Sequence, residues 1–98
     1  MPYVSSTERV HLDPELEDVI RRVLLSPPDK RPGLVNYSIS RIVAKSMEPL
    51  HGWSYASLSA ALAIFSDAAA EMRRRLMDQH EDAAIEQNGD IPEYQHRE

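Results

Sequence analysis

The residues best suited to chemistry form a row of carboxylates in the second half of the chain. If this part of the chain is one helix, the carboxylates and one arginine among them share about a third of its circumference. The residues are Asp67, Glu71, Arg74, Asp78, Glu81 and Asp82. With carboxylates from the first helix, such a row could bind Mg²⁺ and hydrolyse a phosphate ester. The alternative is a solvated face with ion pairs such as Glu71–Arg75 and Arg74–Asp78 at four-residue spacing. Because an arginine interrupts the row, the pattern favours the ion pairs.

A second set of residues could bind a phosphate-containing ligand. Arg73, Arg74 and Arg75 are consecutive, and guanidinium groups match phosphate oxygens. Consecutive helical residues fan around the axis, so one or two of these arginines could face a ligand. The alternative is a set of ion pairs within the helix and between subunits. The predicted ligand-binding residues are Asn36, Tyr37, Arg41, Tyr55, Glu71, Arg74 and Arg75.

The simpler interpretation of the aromatic part of this set is structural. Asn36 could cap a helix, and Tyr37 could pack with its hydroxyl group at the surface. The functional interpretation places both beside Tyr55 and Arg74 in a polar pocket between the second and third helices. The sequence leaves both interpretations open.

Motifs of several enzyme classes are missing from the sequence. The chain has no cysteine, which excludes disulfides, thiolate zinc sites and cysteine nucleophiles. Its four histidines lack metal-ligand spacing, and its three glycines form no phosphate-binding loop. No serine lies in a nucleophile elbow. We therefore assign no catalytic residue, metal site or cofactor, and favour a non-enzymatic role while leaving enzymatic activity open.

Charge is distributed unevenly along the chain. Residues 1–77 carry ten basic and nine acidic side chains, which gives a net charge of +1. Residues 78–98 carry one basic and seven acidic side chains, which gives a net charge of −6. A nearly neutral body creates no general field for nucleic acid, so we expect neither DNA nor RNA as a partner. No apolar run is long enough to span a bilayer, and no signal-peptide pattern is present. We expect no membrane association and a cytoplasmic location.

Three helices are expected to position these residues in one all-α domain of residues 1–98. An extended arm over 1–12 precedes the first helix, 13–26, which Asp13 would cap with Pro14 in its first turn. The second helix spans 34–48, before Pro49. The third and longest spans 54–87, with Ser54 as its cap and Gly89 just beyond its end. An acidic tail, 88–98, completes the chain.

The third helix carries two apolar faces. Large residues repeat in steps of three and four: Tyr55, Leu58, Leu62, Phe65, Ala69, Met72 and Leu76. Small residues form a second row, and a helix packed on two sides requires more partners than two short helices supply. We therefore predict a helical homo-oligomer whose interface contains Ala56, Ala60, Ala63, Ala70, Met72 and Leu76.

The sequence resembles an uncharacterised family of small bacterial and bacteriophage proteins, a domain of unknown function. The resemblance spans nearly the whole chain and lies in short segments: Met1-Pro2-Tyr3, Leu12-Asp13-Pro14, Asn36-Tyr37-Ser38-Ile39-Ser40-Arg41, Ser54-Tyr55-Ala56, Glu71 with Arg74-Arg75, and Glu81-Asp82 with Ile85 and Asn88-Gly89-Asp90. Members of the family often have a tyrosine at the position of His80, and another soon after the Asn-Gly-Asp segment, where this chain has Ile91-Pro92. We therefore expect the C-terminal tail to dock differently in this chain. The resemblance implies an origin in a phage or a phage-rich bacterial genome, and with it a location in a bacterial host cell, and it supplies no activity.

Three functional hypotheses follow. The first is a non-enzymatic, phage-associated oligomer that binds a host protein or a small ligand. The second is a nucleotide-binding sponge that sequesters a signalling molecule, with arginines on the phosphates and a tyrosine stacked on the base. The third is a Mg²⁺-dependent helical phosphohydrolase that uses the carboxylate row.

Overall fold

The computed structural model describes residues 4–95, and within that range all regular structure is helical. The elements are α1 (Ser6–Leu24), α2 (Arg31–Met47), α3 (Tyr55–Met72), a π-helical segment (Arg73–Met77) and α4 (Asp78–Asn88), with short 3₁₀ turns at Pro28–Lys30 and Pro92–Tyr94. Because α3, the π segment and α4 follow one another directly, residues 55–88 form one helical stretch of 34 residues. The predicted all-α class and the long last helix are confirmed. None of the helices in this range is long and apolar enough to cross a membrane.

Helix α1 begins earlier than the sequence analysis predicted. Ser5 caps it, and its Oγ accepts a hydrogen bond from the backbone N–H of Glu8 at 3.2 Å. Ser5 and Glu8 stand at the positions of a capping box. The extended arm predicted for 1–12 is therefore wrong from Ser6 onward, and residues 1–3 lie outside the described part. Asp13 is not the cap, and Pro14 lies inside the helix.

The connection from α1 to α2 is held by one arginine. Arg31 donates from Nε to the carbonyl oxygen of Ser26 at 3.1 Å and from a terminal nitrogen to that of Leu24 at 3.2 Å. Carbonyls at a helix C-terminus lack partners and carry partial negative charge, so a guanidinium satisfies both needs. Helix α2 starts at this arginine rather than at residue 34, and α1 and α2 contact each other. Asn36 consequently lies inside α2 and does not cap it.

The predicted bounds of the third helix, 54–87, agree with the structure to within one residue. Ser54 and Ser57 cap the start reciprocally: the N–H of Ser57 donates to Ser54 Oγ at 3.1 Å, and the N–H of Ser54 donates to Ser57 Oγ at 2.8 Å. At the other end, Gly89 has φ 86°, a left-handed conformation that favours glycine. Its N–H donates to the carbonyl oxygen of Ile85 at 2.7 Å.

The π segment was not predicted. At its end the backbone N–H of Asp78 donates to the carbonyl oxygen of Arg73, which is five residues earlier. In an α-helix the acceptor is four residues earlier. Single π-helical turns inside α-helices are rare and are found preferentially at functional sites. This wide turn contains all three consecutive arginines, so the most basic stretch of the chain coincides with its least regular helical turn.

The described residues divide between Leu62 and Ala63 into two compact units. The single domain stays a prediction. The first unit contains the two described side chains that are buried, Val43 and Ala61. The described part of the second unit, residues 63–95, contains none. The predicted large-residue seam is exposed at several positions, with exposed fractions of 88% for Tyr55 and 62% for Leu62. Apolar periodicity thus located the helix but did not identify which of its residues are buried.

Candidate functional site

Glu71, Arg74 and Arg75 form an ion-pair cluster in the second unit. Glu71 Oε1 lies 2.6 Å from a terminal nitrogen of Arg74 and 3.5 Å from one of Arg75. The Glu71 side chain is 16% exposed, whereas the arginine side chains are 65% and 58% exposed. The predicted Glu71–Arg75 pair is confirmed. The predicted Arg74–Asp78 pair is wrong, because Arg74 bonds to Glu71 on the preceding turn instead.

A groove of about 530 Å³ lies along the helix of the second unit. Its lining runs at helical spacing through the π segment: Ala69, Met72, Arg73, Leu76, Met77 and His80. The apolar centre is open to solvent, with exposed fractions of 65% for Met72, 60% for Leu76 and 50% for Met77. A second hollow continues it and shares His80 with it: His80, Ala83, Ala84, Glu86 and Gln87. Together they form one long face of this helix, which we call the Met72–Leu76 face.

A different groove lies on α2 in the first unit. It measures about 350 Å³ and is lined by Tyr37, Ser40, Arg41, Ala44, Lys45 and Glu48. Tyr37, Arg41 and Lys45 are spaced four residues apart and therefore lie on one side of the helix. Neither Arg41 nor Lys45 forms an ion pair within residues 4–95. Sequence analysis identified the first two residues and missed Lys45, although the four-residue spacing was a usable signal.

The predicted ligand-binding residues are divided between the two units. Asn36, Tyr37, Arg41 and Tyr55 belong to the first, and Glu71, Arg74 and Arg75 belong to the second. Within the first unit Tyr37 and Arg41 share the α2 groove, whereas Asn36 does not line it and Tyr55 is 88% exposed at the start of α3. Within the second unit the three residues form the ion-pair cluster. Whether any of them binds a ligand stays a prediction.

The predicted interface residues are all exposed within the single chain. This holds for the small-residue row, Ala56, Ala60, Ala63 and Ala70, and for Met72 and Leu76. Only the last two line the Met72–Leu76 face. The two halves of the predicted interface are therefore not equivalent, since the groove includes the two large residues and none of the four alanines of the predicted small-residue row.

The predicted carboxylate row does not form a metal-ligand group. Among residues 4–95, no three His, Cys, Asp or Glu side chains are placed so that they could hold one metal ion. Two features account for this. Glu71 faces two guanidinium groups, which compete with a cation for its oxygens, and the wide turn between Glu71 and Asp78 changes the rotation on which the row depended.

Comparison with known proteins identifies a family and no activity. A family described as Domain of unknown function (DUF6899) matches residues 1–91. A search of curated proteins and a search of solved structures found no match.

Proposed function

Since this chain belongs to the DUF6899 family, whose description assigns no activity, we propose from its own surfaces that it is a non-enzymatic binding protein. It acts as a homo-oligomer, and the Met72–Leu76 face forms the contact between copies. From the resemblance to bacterial and bacteriophage proteins we extend the proposal to an accessory role in the cytoplasm of a bacterial cell. A host protein or a small ligand is then its target.

The observation that carries this proposal is the absence of burial in the described second unit. Residues 63–95 contain no buried side chain, yet Met72, Leu76 and Met77 expose half or more of their surface side by side. Burying a Leu or Met side chain fully is worth about 1.5–3 kcal/mol. A helix without tertiary packing is marginal in water, because its stability comes mainly from burying one face. A contact between copies would supply that burial.

The first test is the mass of the protein in solution. Light scattering during size-exclusion chromatography should give a multiple of the 11.1 kDa chain mass at micromolar concentration. Leu76→Glu places a charge in the centre of the face and should give the single-chain mass. Gln79→Glu is the matched control, because this substitution adds the same charge at an exposed residue that does not line the face. A wild-type protein that stays monomeric at 100-fold higher concentration contradicts the proposal.

A second candidate, a sponge for a phosphate-containing nucleotide, is supported by the α2 groove. Arg41 and Lys45 provide two cations without an ion-pair partner in residues 4–95, and Tyr37, 64% exposed, offers a ring for stacking. Guanidinium and ammonium groups beside an aromatic ring suit a phosphate joined to a base. The metal-dependent phosphohydrolase has no comparable support in the described residues.

Thermal unfolding with a nucleotide panel tests the second candidate. A ligand present at 100 times its Kd stabilises a protein by about 2.7 kcal/mol through mass action. We expect Arg41→Ala to remove that stabilisation and Arg9→Ala, which also removes an exposed arginine, to leave it unchanged. An unchanged melting temperature across mono-, di- and cyclic nucleotides would contradict the sponge and leave the oligomer proposal intact.

A further inference from the structure

Helices α2 and α4 carry opposite charge. Helix α2 contains three basic residues and no acidic one, whereas α4 contains four acidic residues and no lysine or arginine. Two of the cations, Arg41 and Lys45, line the α2 groove and form no ion pair within residues 4–95. The acidic side chains of α4 form none in that range either: Asp78, Glu81, Asp82 and Glu86. Each helix thus presents charges that the described part of one chain does not neutralise.

The lining of the α2 groove has the spacing of a helix surface that receives another helix. Residues three and four apart form a ladder along one side of a helix, and such ladders interlock in paired helices. The ladder consists of Tyr37, Ser40, Arg41, Ala44, Lys45 and Glu48. The small side chain of Ala44 lies between the two cations along this side and permits close approach. Glu48, the acidic member, lies at the end of the ladder, where it caps α2.

The acidic side of α4 repeats this spacing. Its ladder consists of Asp78, Glu81, Asp82, Ile85 and Glu86. It extends about 12 Å, and the groove about 16 Å, from eight and eleven residues at ~1.5 Å each. Ile85, 42% exposed, lies among the carboxylates as Ala44 lies among the cations. An apolar residue framed by acids therefore matches a small residue framed by bases.

The acidic ladder and the Met72–Leu76 face lie on different sides of α4. Of the ladder, Glu86 alone also lines the hollow that continues this face. A contact through the ladder therefore leaves the Met72–Leu76 face available for the proposed pairing of copies.

We propose that the occupant of the α2 groove is the acidic side of α4 from another copy of this chain. The inference rests on the proposed self-association, because exposed ion pairs contribute little individually. The contact forms between copies that the Met72–Leu76 face already holds together. An occupied groove is closed to other anions, so this occupant excludes a nucleotide from the same groove.

Carbodiimide cross-linking tests the contact, because the groove contains one of only two lysines, Lys30 and Lys45. The reagent joins an amine to a carboxylate without a spacer, so the two groups must touch. In a mixture of unlabelled and ¹⁵N-labelled protein, a product with one peptide of each kind comes from two copies. We expect mixed-label products that join Lys45 to a carboxylate of α4. Lys30 is also exposed and is the matched control, with no product to α4 expected.

The outcomes separate this inference from the proposed function. An oligomeric mass without Lys45–α4 products overturns the inference and leaves the proposed self-association in place. A monomeric mass overturns both. Products in which both peptides always carry the same label overturn the inference, since they do not come from two copies. Equal yields from Lys30 and Lys45 also overturn it, because the contact is then not specific to the groove.

Charge reversal provides an independent test. One variant combines Arg41→Glu with Lys45→Glu, and the other combines Glu81→Lys with Asp82→Lys, all at exposed residues that do not line the Met72–Leu76 face. Each variant should associate about tenfold more weakly than the wild type in sedimentation equilibrium. An equimolar mixture should return to within about threefold, because each groove then meets an α4 of opposite charge, and a misfolded variant could not produce this rescue.

Net charge alone predicts a different result. The groove variant moves the net charge further below −5, and the α4 variant moves it closer to zero. General repulsion would therefore weaken association in the first and strengthen it in the second. Stronger association of the α4 variant, or a mixture that associates no more tightly than its components, would overturn the inference.

Discussion

The start of α1 yields the sharpest prediction, because the structure and the sequence pattern place it differently. In the structure Ser5 caps the helix and Pro14 lies inside it. A proline inside a helix lacks an N–H and crowds the carbonyl four residues earlier, here that of Val10, at a cost of about 3 kcal/mol. The alternative start, with Asp13 as cap and Pro14 in the first turn, carries no such cost.

Pro14→Ala should therefore stabilise the protein. Proline also restricts the unfolded chain, which offsets roughly 0.4–1 kcal/mol of the gain. We expect the free energy of unfolding to rise by about 2–3 kcal/mol. The two caps should respond in opposite directions: Ser5→Ala should cost about 1 kcal/mol, whereas Asp13→Ala should be neutral or stabilising by about 0.5 kcal/mol, because alanine is the better helix former.

Urea unfolding followed by far-UV circular dichroism measures these free energies. All variants must be compared at one protein concentration, since association contributes to apparent stability. Glu17→Ala, an exposed site on the same helix, is the control and should change stability by less than about 0.5 kcal/mol. If Pro14→Ala is neutral while Asp13→Ala is destabilising by about 1 kcal/mol, the helix begins at residue 13 and the structural reasoning is refuted.

Three further predictions concern the contacts that define the fold, each measured by the same unfolding assay. Val43→Ala should cost about 1.5–2.5 kcal/mol because Val43 is buried, whereas Val10→Ala, at a residue that is 69% exposed, should cost less than about 0.5 kcal/mol; equal effects would contradict the assigned core. Gly89→Ala should cost about 1 kcal/mol because φ is 86° there, and hydrogen exchange should increase in the last turn of α4; unchanged exchange would argue against this helix end. Arg31→Ala should cost about 1–2 kcal/mol by releasing two carbonyl groups, and Arg31→Lys should recover only part of it; full recovery would show that charge alone is required.

Local capping signals made the ends of the third helix predictable. Ser54 and Gly89 act through their own backbone neighbours, so the sequence contains all the information needed. The same kind of signal existed at Ser5 and Glu8, but the Asp13-Pro14 pair was an equally good start. The residue types alone do not distinguish these two starts. The earlier start requires that residues 6–12 are stabilised as helix, which depends on contacts outside that segment.

Burial and the π segment could not be predicted for different reasons. Tyr55 and Leu62 fit the heptad pattern and are nevertheless exposed, whereas Ala61, outside the pattern, is buried. Periodicity shows which residues share a side of a helix, and only tertiary contacts determine which side is covered. The run Arg73–Met77 contains good helix formers throughout, so nothing in its composition distinguishes a π turn from an α turn.

The π segment also changes how distances along this helix should be counted. In a regular α-helix, residues three or four apart lie on the same face. For two residues on opposite sides of Arg73–Met77, the wider turn adds one residue to that spacing. Removing one residue from this run would return the turn to α geometry and leave both flanking helices intact. The side chains of α4 would then be rotated about the helix axis relative to those of α3. A change of chain length at this point would therefore exchange one surface for another without requiring a new fold.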